Sequence, residues 1–227
     1  MPTLIHFTLD PLSRRLRLAL AEYGVPVDLI DEEPWEPSPD IFELNPAGTL
    51  PVYLEDAATP LSGIEAITEY LEETKASRIS LIPGDALARA EVRRLAGWFD
   101  GKFYAEVSEP LLTEKVIRRF LQRSRGGGGP DTGRVRLAMA ALRDHLDYIA
   151  HLVDHRVWLA GDELSIADLA AAGHISAVDY FGDIPWADYP VAKSWYQRVK
   201  SRPSFRPLLA DTIRGMAPGA HYADLDF

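Results

Sequence analysis

Strand-like and helix-like runs alternate over the first third of the chain, and from Asp85 onward the strand signal disappears. That change of rhythm restricts the chain to a small mixed α/β unit followed by an all-helical one. TLIHFT reads as a short buried strand. Pro11–Glu22 then sets Leu12, Leu16, Ala19 and Leu20 at helical spacing, and Gly24 with Pro26 ends that helix. VDLIDE is a second strand, EPWEPSPDIFELNPAGT a loop with a short helical turn, LPVYLED a third strand and PLSG a turn. Residues 64–74 form another helix, with Ala66, Ile67, Tyr70 and Leu71 on its apolar side.

In the second unit, ALARAEVRRLAGWFDGKFYAEV and RVRLAMAALRDHLDYIAHLV have the pattern of long amphipathic helices, separated by the flexible GGGGP. SIADLAAAGHISAVDYF is apolar nearly all round, which predicts the central helix of a bundle. It opens with Ser165 and, three residues on, Asp168: a capping box, which makes Asp168 a helix-cap residue rather than a catalytic acid. Pro190 and Pro203 bracket a further helix. The expected division is a first domain over 1–76, a linker over 77–85, a helical domain over 86–214 and a tail over 215–227.

Composition removes several classes of function. The 227 residues are 47% apolar and 26% charged, ordinary for a globular protein with its own core. No apolar run approaches the roughly 18 residues needed to cross a bilayer. The start, MPTLIHFTLD, enters a strand with no basic or cleavable segment, so a cytoplasmic location is expected. The absence of cysteine excludes disulfides, thiolate metal sites and cysteine nucleophiles. A net charge of −10 argues against general nucleic-acid binding.

Three segments in order, NPAGTLPVYLED, SIADLAAA and YPVAKSWYQRVKSRPSF, together with the opening strand-turn-helix, resemble the glutathione transferase superfamily and leave only the tail outside. The resemblance implies a thioredoxin-like domain followed by a C-terminal helical bundle. It also implies a glutathione site made of three parts, and each part departs from the pattern. Where the family carries a Ser, Cys or Tyr that holds the sulfur as thiolate, this chain has Asp10, whose negative charge repels a thiolate. Ser13 and Thr8 are the neighbouring hydroxyls; Ser13 serves only if the turn is displaced. The backbone pairing before a cis proline is retained at Leu50-Pro51, but Thr49 stands where a basic residue often contacts a glutathione carboxylate. The acidic-then-hydroxyl pair at the next helix start is replaced by Gly63 and Ile64, which removes a carboxylate anchor at a helix N-terminus. Losing two or three charge-assisted contacts at roughly 1.5–3 kcal/mol each weakens binding by several powers of ten. The expected chain is therefore non-catalytic and without a cofactor.

Other chemistry is poorly supported. His151 and His155 lie one helical turn apart with Asp147 a turn earlier, but a polar helix end explains them more simply than a metal site. GGGG has neither the preceding strand nor the Lys-Ser/Thr pair of a phosphate loop.

With the cleft silent, the surface becomes the candidate. Trp35 in its proline-rich acidic loop is either an interface anchor or a cover for its own sheet edge. The tail offers Tyr222, Asp224, Leu225, Asp226 and Phe227, an apolar–acidic alternation suited to a partner's groove or to folding back. RRFLQRSR gives a local cationic face that suits an acidic peptide. A degenerate glutathione site with such a tail resembles a group of alphaproteobacterial division proteins that bind the tubulin-like polymer FtsZ. That resemblance implies an FtsZ partner, a homodimer bridging filaments and a place at the division site. The rival expectation is a transferase conjugating or reducing electrophiles with glutathione.

Overall fold

Leu4 and Ile5 are adjacent on β1 (Thr3–His6) and both are buried, because this strand lies inside the sheet and successive side chains enter opposite layers. Leu4 packs with Leu16, Leu20, Tyr53, Ile67 and Leu71. Ile5 packs on the other face with Ile41 and Val52. The computed structural model describes residues 1–56 and 59–227.

The first domain is a four-stranded sheet of order β2-β1-β3-β4. From β1 the chain crosses through α1 (Pro11–Glu22) to β2 (Asp28–Asp31), which runs parallel to β1 with Leu4 opposite Leu29. After α2 (Pro39–Leu44), β3 (Val52–Leu54) pairs antiparallel with β1, and β4 (Pro60–Ser62) pairs antiparallel with β3. α3 (Ile64–Lys75) closes the domain. The fourth strand corrects the turn expected at PLSG. Three residues are too few to show alternation, and Pro60 is tolerated because β4 is an edge strand.

The segment between the domains is pinned down. Leu81 and Ile82 are fully buried in the helical core, and the Leu81 carbonyl accepts from the Ile166 N–H at 2.7 Å. α4 (Ala86–Gly97) then continues without a break to Phe120. It passes through a wide-wound stretch, Trp98–Ser108, with i→i+5 hydrogen bonding, then α5 (Glu109–Leu112), a second wide stretch Thr113–Ile117 and α6 (Arg118–Phe120). α7 (Thr132–Val153) packs back against it.

All fourteen residues of α8 (Ile166–Asp179) are buried, as its all-round apolar pattern predicts. Its start is the expected capping box: the Asp168 carboxylate accepts from the Ser165 N–H at 3.1 Å, and also from the Leu159 N–H and the Trp195 ring N–H. Asp168 is thus wholly spent on structure. α8 meets α1 so closely at Gly173 that a β-carbon there would stand 2.7 Å from the Pro11 carbonyl oxygen. α9 (Pro190–Lys200), α10 (Arg206–Leu209) and the tail complete the second domain.

Arg14 joins these parts. It is fully buried on α1 and donates to the Thr8 carbonyl, Ser176 of α8, Asp211 and the Tyr222 hydroxyl, all at 2.8–3.0 Å. Arg17 adds a two-pronged pair to Asp211.

Candidate functional site

Asp10, Thr49, Leu50, Gly63 and Ile64 all line one cavity of about 540 Å³ between the two domains, and Pro51 follows the cis bond at its edge. The structure therefore brings together the residues that the sequence assigned to one pocket.

Asp10 is the N-cap of α1. Its carboxylate accepts from the Ser13 N–H at 2.7 Å and the Ser13 hydroxyl at 2.6 Å. Ser13 is fully buried, so the hydroxyl that an enzymatic reading requires is turned to the carboxylate and not to the cleft. Thr8 is likewise spent, donating to Asp31 at 2.9 Å. Thr49 is exposed, and its hydroxyl oxygen accepts from Asn45 at 3.0 Å. Gly63 takes φ +83° before α3 and offers no capping side chain, while Ile64 turns a half-buried aliphatic body to the cavity.

The charge of the cavity was not visible in the sequence. Every ionisable group among its described lining residues is acidic: Asp10, Glu32, Asp100, Glu109 and the phenol of Tyr104. Arg15 lies behind the wall, with its guanidinium paired to Asp100 and bonded to Thr68. Burial, with the Asp10 and Glu109 carboxylates, pushes the Tyr104 hydroxyl up to about 12, so it stays protonated. An anionic peptide entering this cleft meets carboxylates and no cation to pair with them.

Asp10 caps α1, Glu32 comes from the β2–α2 loop, Asp100 and Tyr104 from the wide-wound stretch, and Glu109 opens α5. Residues 98–108 do not follow a 3.6-residue period, so helical spacing misplaces the faces of Asp100 and Tyr104. The same stretch makes a buried string: Ser108 Oγ lies 2.8 Å from His174 Nδ1, and His174 Nε2 lies 3.4 Å from Asp100. Ser108 and His174 are fully buried, so no substrate reaches that hydroxyl and the string is structural.

Burial raises Asp10 to about 6, with the Ser13 bonds opposing the rise. A carboxyl that holds its proton more tightly when folded favours the folded state at low pH. That contribution is lost as pH climbs from about 4 through 6. Asp10→Asn keeps a capping oxygen without the charge. Its thermal midpoint relative to the parent chain should therefore rise between pH 4 and 6 and level off above 7. A difference independent of pH across that range would show that Asp10 is not titrating there.

Trp35 stacks on Phe120 at 4.5 Å and 22° and meets Phe7 edge-on at 5.4 Å, so it braces the first domain against the end of the long helix. It remains half-buried, and its ring N–H donates to Glu33. The tail folds back. Tyr222 is fully buried, accepting from Arg14 and donating to the Leu208 carbonyl, which corrects its expected role as a partner-facing residue. The Phe227 ring lies 4.0 Å from the Lys200 ammonium and packs against Trp186. Asp224, Leu225 and Asp226 stay exposed. His151 and His155 gather no cluster: among the described residues no group of three or more His, Asp or Glu side chains is placed to hold a metal.

Comparison with known proteins agrees with the geometry. The family models for the N-terminal and C-terminal domains of glutathione S-transferase match residues 11–74 and 113–198. FtsZ-localized protein A of Caulobacter vibrioides is 48% identical over 228 residues, covering 99% of this chain and 98% of that protein. The solved structure of FzlA from C. crescentus has a TM-score of 0.93 at 48% identity over 100% of this chain and 99% of that one. A solved glutathione S-transferase from Sinorhizobium meliloti has a TM-score of 0.96 at 49% identity over 100% of both chains. With both domain models matched in order and near-half identity from end to end, the chain belongs to the glutathione S-transferase family.

Proposed function

We propose that this chain is a non-catalytic, dimeric FtsZ-binding factor that acts at the bacterial division site from the cytoplasm. The observation that carries this reading is the full-length likeness to FtsZ-localized protein A. The cleft supports it: it retains the cis bond before Pro51 but is walled by carboxylates, and Ser13 is buried against Asp10. A family fold that cannot hold its anionic thiol ligand is free to act through its surface. Trp35 and the exposed Asp224, Leu225 and Asp226 are the surface candidates. A homodimer would present the binding face twice, and the second contact with a filament would then be intramolecular and gain from effective concentration.

Co-sedimentation with polymerised FtsZ tests this reading, beside sedimentation equilibrium for the dimer. The chain should pellet with polymer, run as a dimer and show no saturable heat with glutathione. A chain that stays in the supernatant at all polymer concentrations sinks the division role. Saturable micromolar glutathione binding, with turnover of a chlorodinitrobenzene substrate, would instead establish the rival transferase, which the likeness to the Sinorhizobium meliloti structure favours.

A further inference from the structure

We infer that the interdomain groove beside Trp35 is a docking site for an acidic segment of a partner protein that carries a large apolar side chain. The inference rests on the reading above in one respect, that a protein is what this chain binds. The groove, about 510 Å³, shares Phe7 and Glu32 with the Asp10 cleft but adds the arginines that the cleft's lining lacks, and it spans both domains. Phe7, Thr8, Asp31, Glu32, Glu33 and Trp35 come from the first, and Arg119, Phe120 and residues 212–215 from the second.

Its floor is the Trp35–Phe120 stack, half-buried and extended by Ile213. Rigid aromatic area of this kind, beside arginine, is what binding hot spots are made from. The two walls differ in how their charges are used. On the first-domain wall every carboxylate already accepts from a neighbour: Asp31 from the Thr8 hydroxyl, Glu32 from Ser38, and Glu33 from the Trp35 ring N–H. On the opposite wall Arg119 and Arg214 are exposed, and among the described residues no hydrogen bond or ion pair engages either guanidinium. Arg123 and Arg125, also exposed and unengaged, follow within a turn or two of Phe120.

Four free guanidiniums at one end of a chain of net charge −10 run against the field of the whole molecule. A guanidinium fork is built for two-pronged bonds to a carboxylate. An occupant with carboxylates toward Arg119 and Arg214 and an apolar side chain on the stack satisfies both. A basic segment would face unengaged arginines.

The probe is a fluorescein-labelled peptide of alternating Asp and Leu, read by anisotropy against the intact chain, with a Lys–Leu peptide of equal length as the control. The Asp–Leu peptide should bind and weaken as salt is raised, and the Lys–Leu peptide should not. R119E/R214E should lose affinity at least about tenfold while R119K/R214K keeps part of it. Both variants should fold, since neither side chain has an internal partner, and circular dichroism checks this. Equal binding of the two peptides, or less than about a twofold loss in R119E/R214E, overturns the proposal. Capture by phosphatidylglycerol vesicles with the peptide silent overturns it too. FtsZ pelleting separates the two readings. Parent and R119E/R214E pelleting alike removes the groove and leaves the division role standing. A parent that binds the peptide but never pellets removes FtsZ and leaves the groove.

Discussion

Arg14→Ala should cost this chain about 3–5 kcal/mol, the range for removing one partner from a buried charged network. Arg14 is fully buried and serves the Thr8 carbonyl, Ser176, Asp211 and Tyr222 at once. Removing it takes a donor from the buried Ser176 and Tyr222 hydroxyls, which keep only their bonds to the Gly173 and Leu208 carbonyls. Asp211 keeps only its pair with Arg17. In a chain of this length such a loss lowers the thermal midpoint by about 6–20 °C. Lysine should not restore it, because a single ammonium cannot reach four acceptors in different directions. Thermal unfolding followed by circular dichroism reads the effect. A shift under about 3 °C for Arg14→Ala would mean that the network contributes little.

The second large effect should come from Gly173→Val. A β-carbon at that position would lie 2.7 Å from the Pro11 carbonyl oxygen and 2.9 Å from the Arg15 amide nitrogen, both backbone atoms that cannot rotate away. α1 and α8 must separate, and with them the two domains. Overpacking of this kind costs about 1–3 kcal/mol or more, and valine's gain in helix propensity over glycine offsets only a few tenths. The expected net loss is about 2 kcal/mol. Gly97 is the control: a β-carbon there meets nothing within 4 Å, so Gly97→Ala should stabilise the helix by up to about 1 kcal/mol. Equal thermal midpoints for Gly173→Val and the parent would show that the seam between α1 and α8 gives way without cost.

Elements with local punctuation were readable. α1 spans the residues that Pro11 and the Gly24–Pro26 stop mark out, and α8 opens at the Ser165–Asp168 box. β4 was missed because Pro60–Ser62 carries no period and exists only through its pairing with β3. For the site, the positions that gather around the cleft were readable from their motifs. The role of Asp10 was half readable: its acid character is plain in the sequence, whereas its capping of α1 and its rise to about 6 depend on burial. The acidity of the whole cavity was not readable, since Glu32, Asp100 and Glu109 come from separate segments, one of them wound off the helical period. Tyr222 looked like an exposed tail aromatic because nothing nearby in sequence announces Arg14, 208 residues earlier.

The contact between α1 and α8 also sets an order of events during synthesis. The outer face of α1 has its partner in a helix that begins at Ile166, so a nascent chain carrying only the first domain leaves that face and buried-to-be Arg14 in water. The sheet can pair early, but the domain is finished only after most of the second has left the ribosome. Two domains in the folded molecule thus behave as one unit in assembly, and a first-domain fragment made alone should be a client for chaperones.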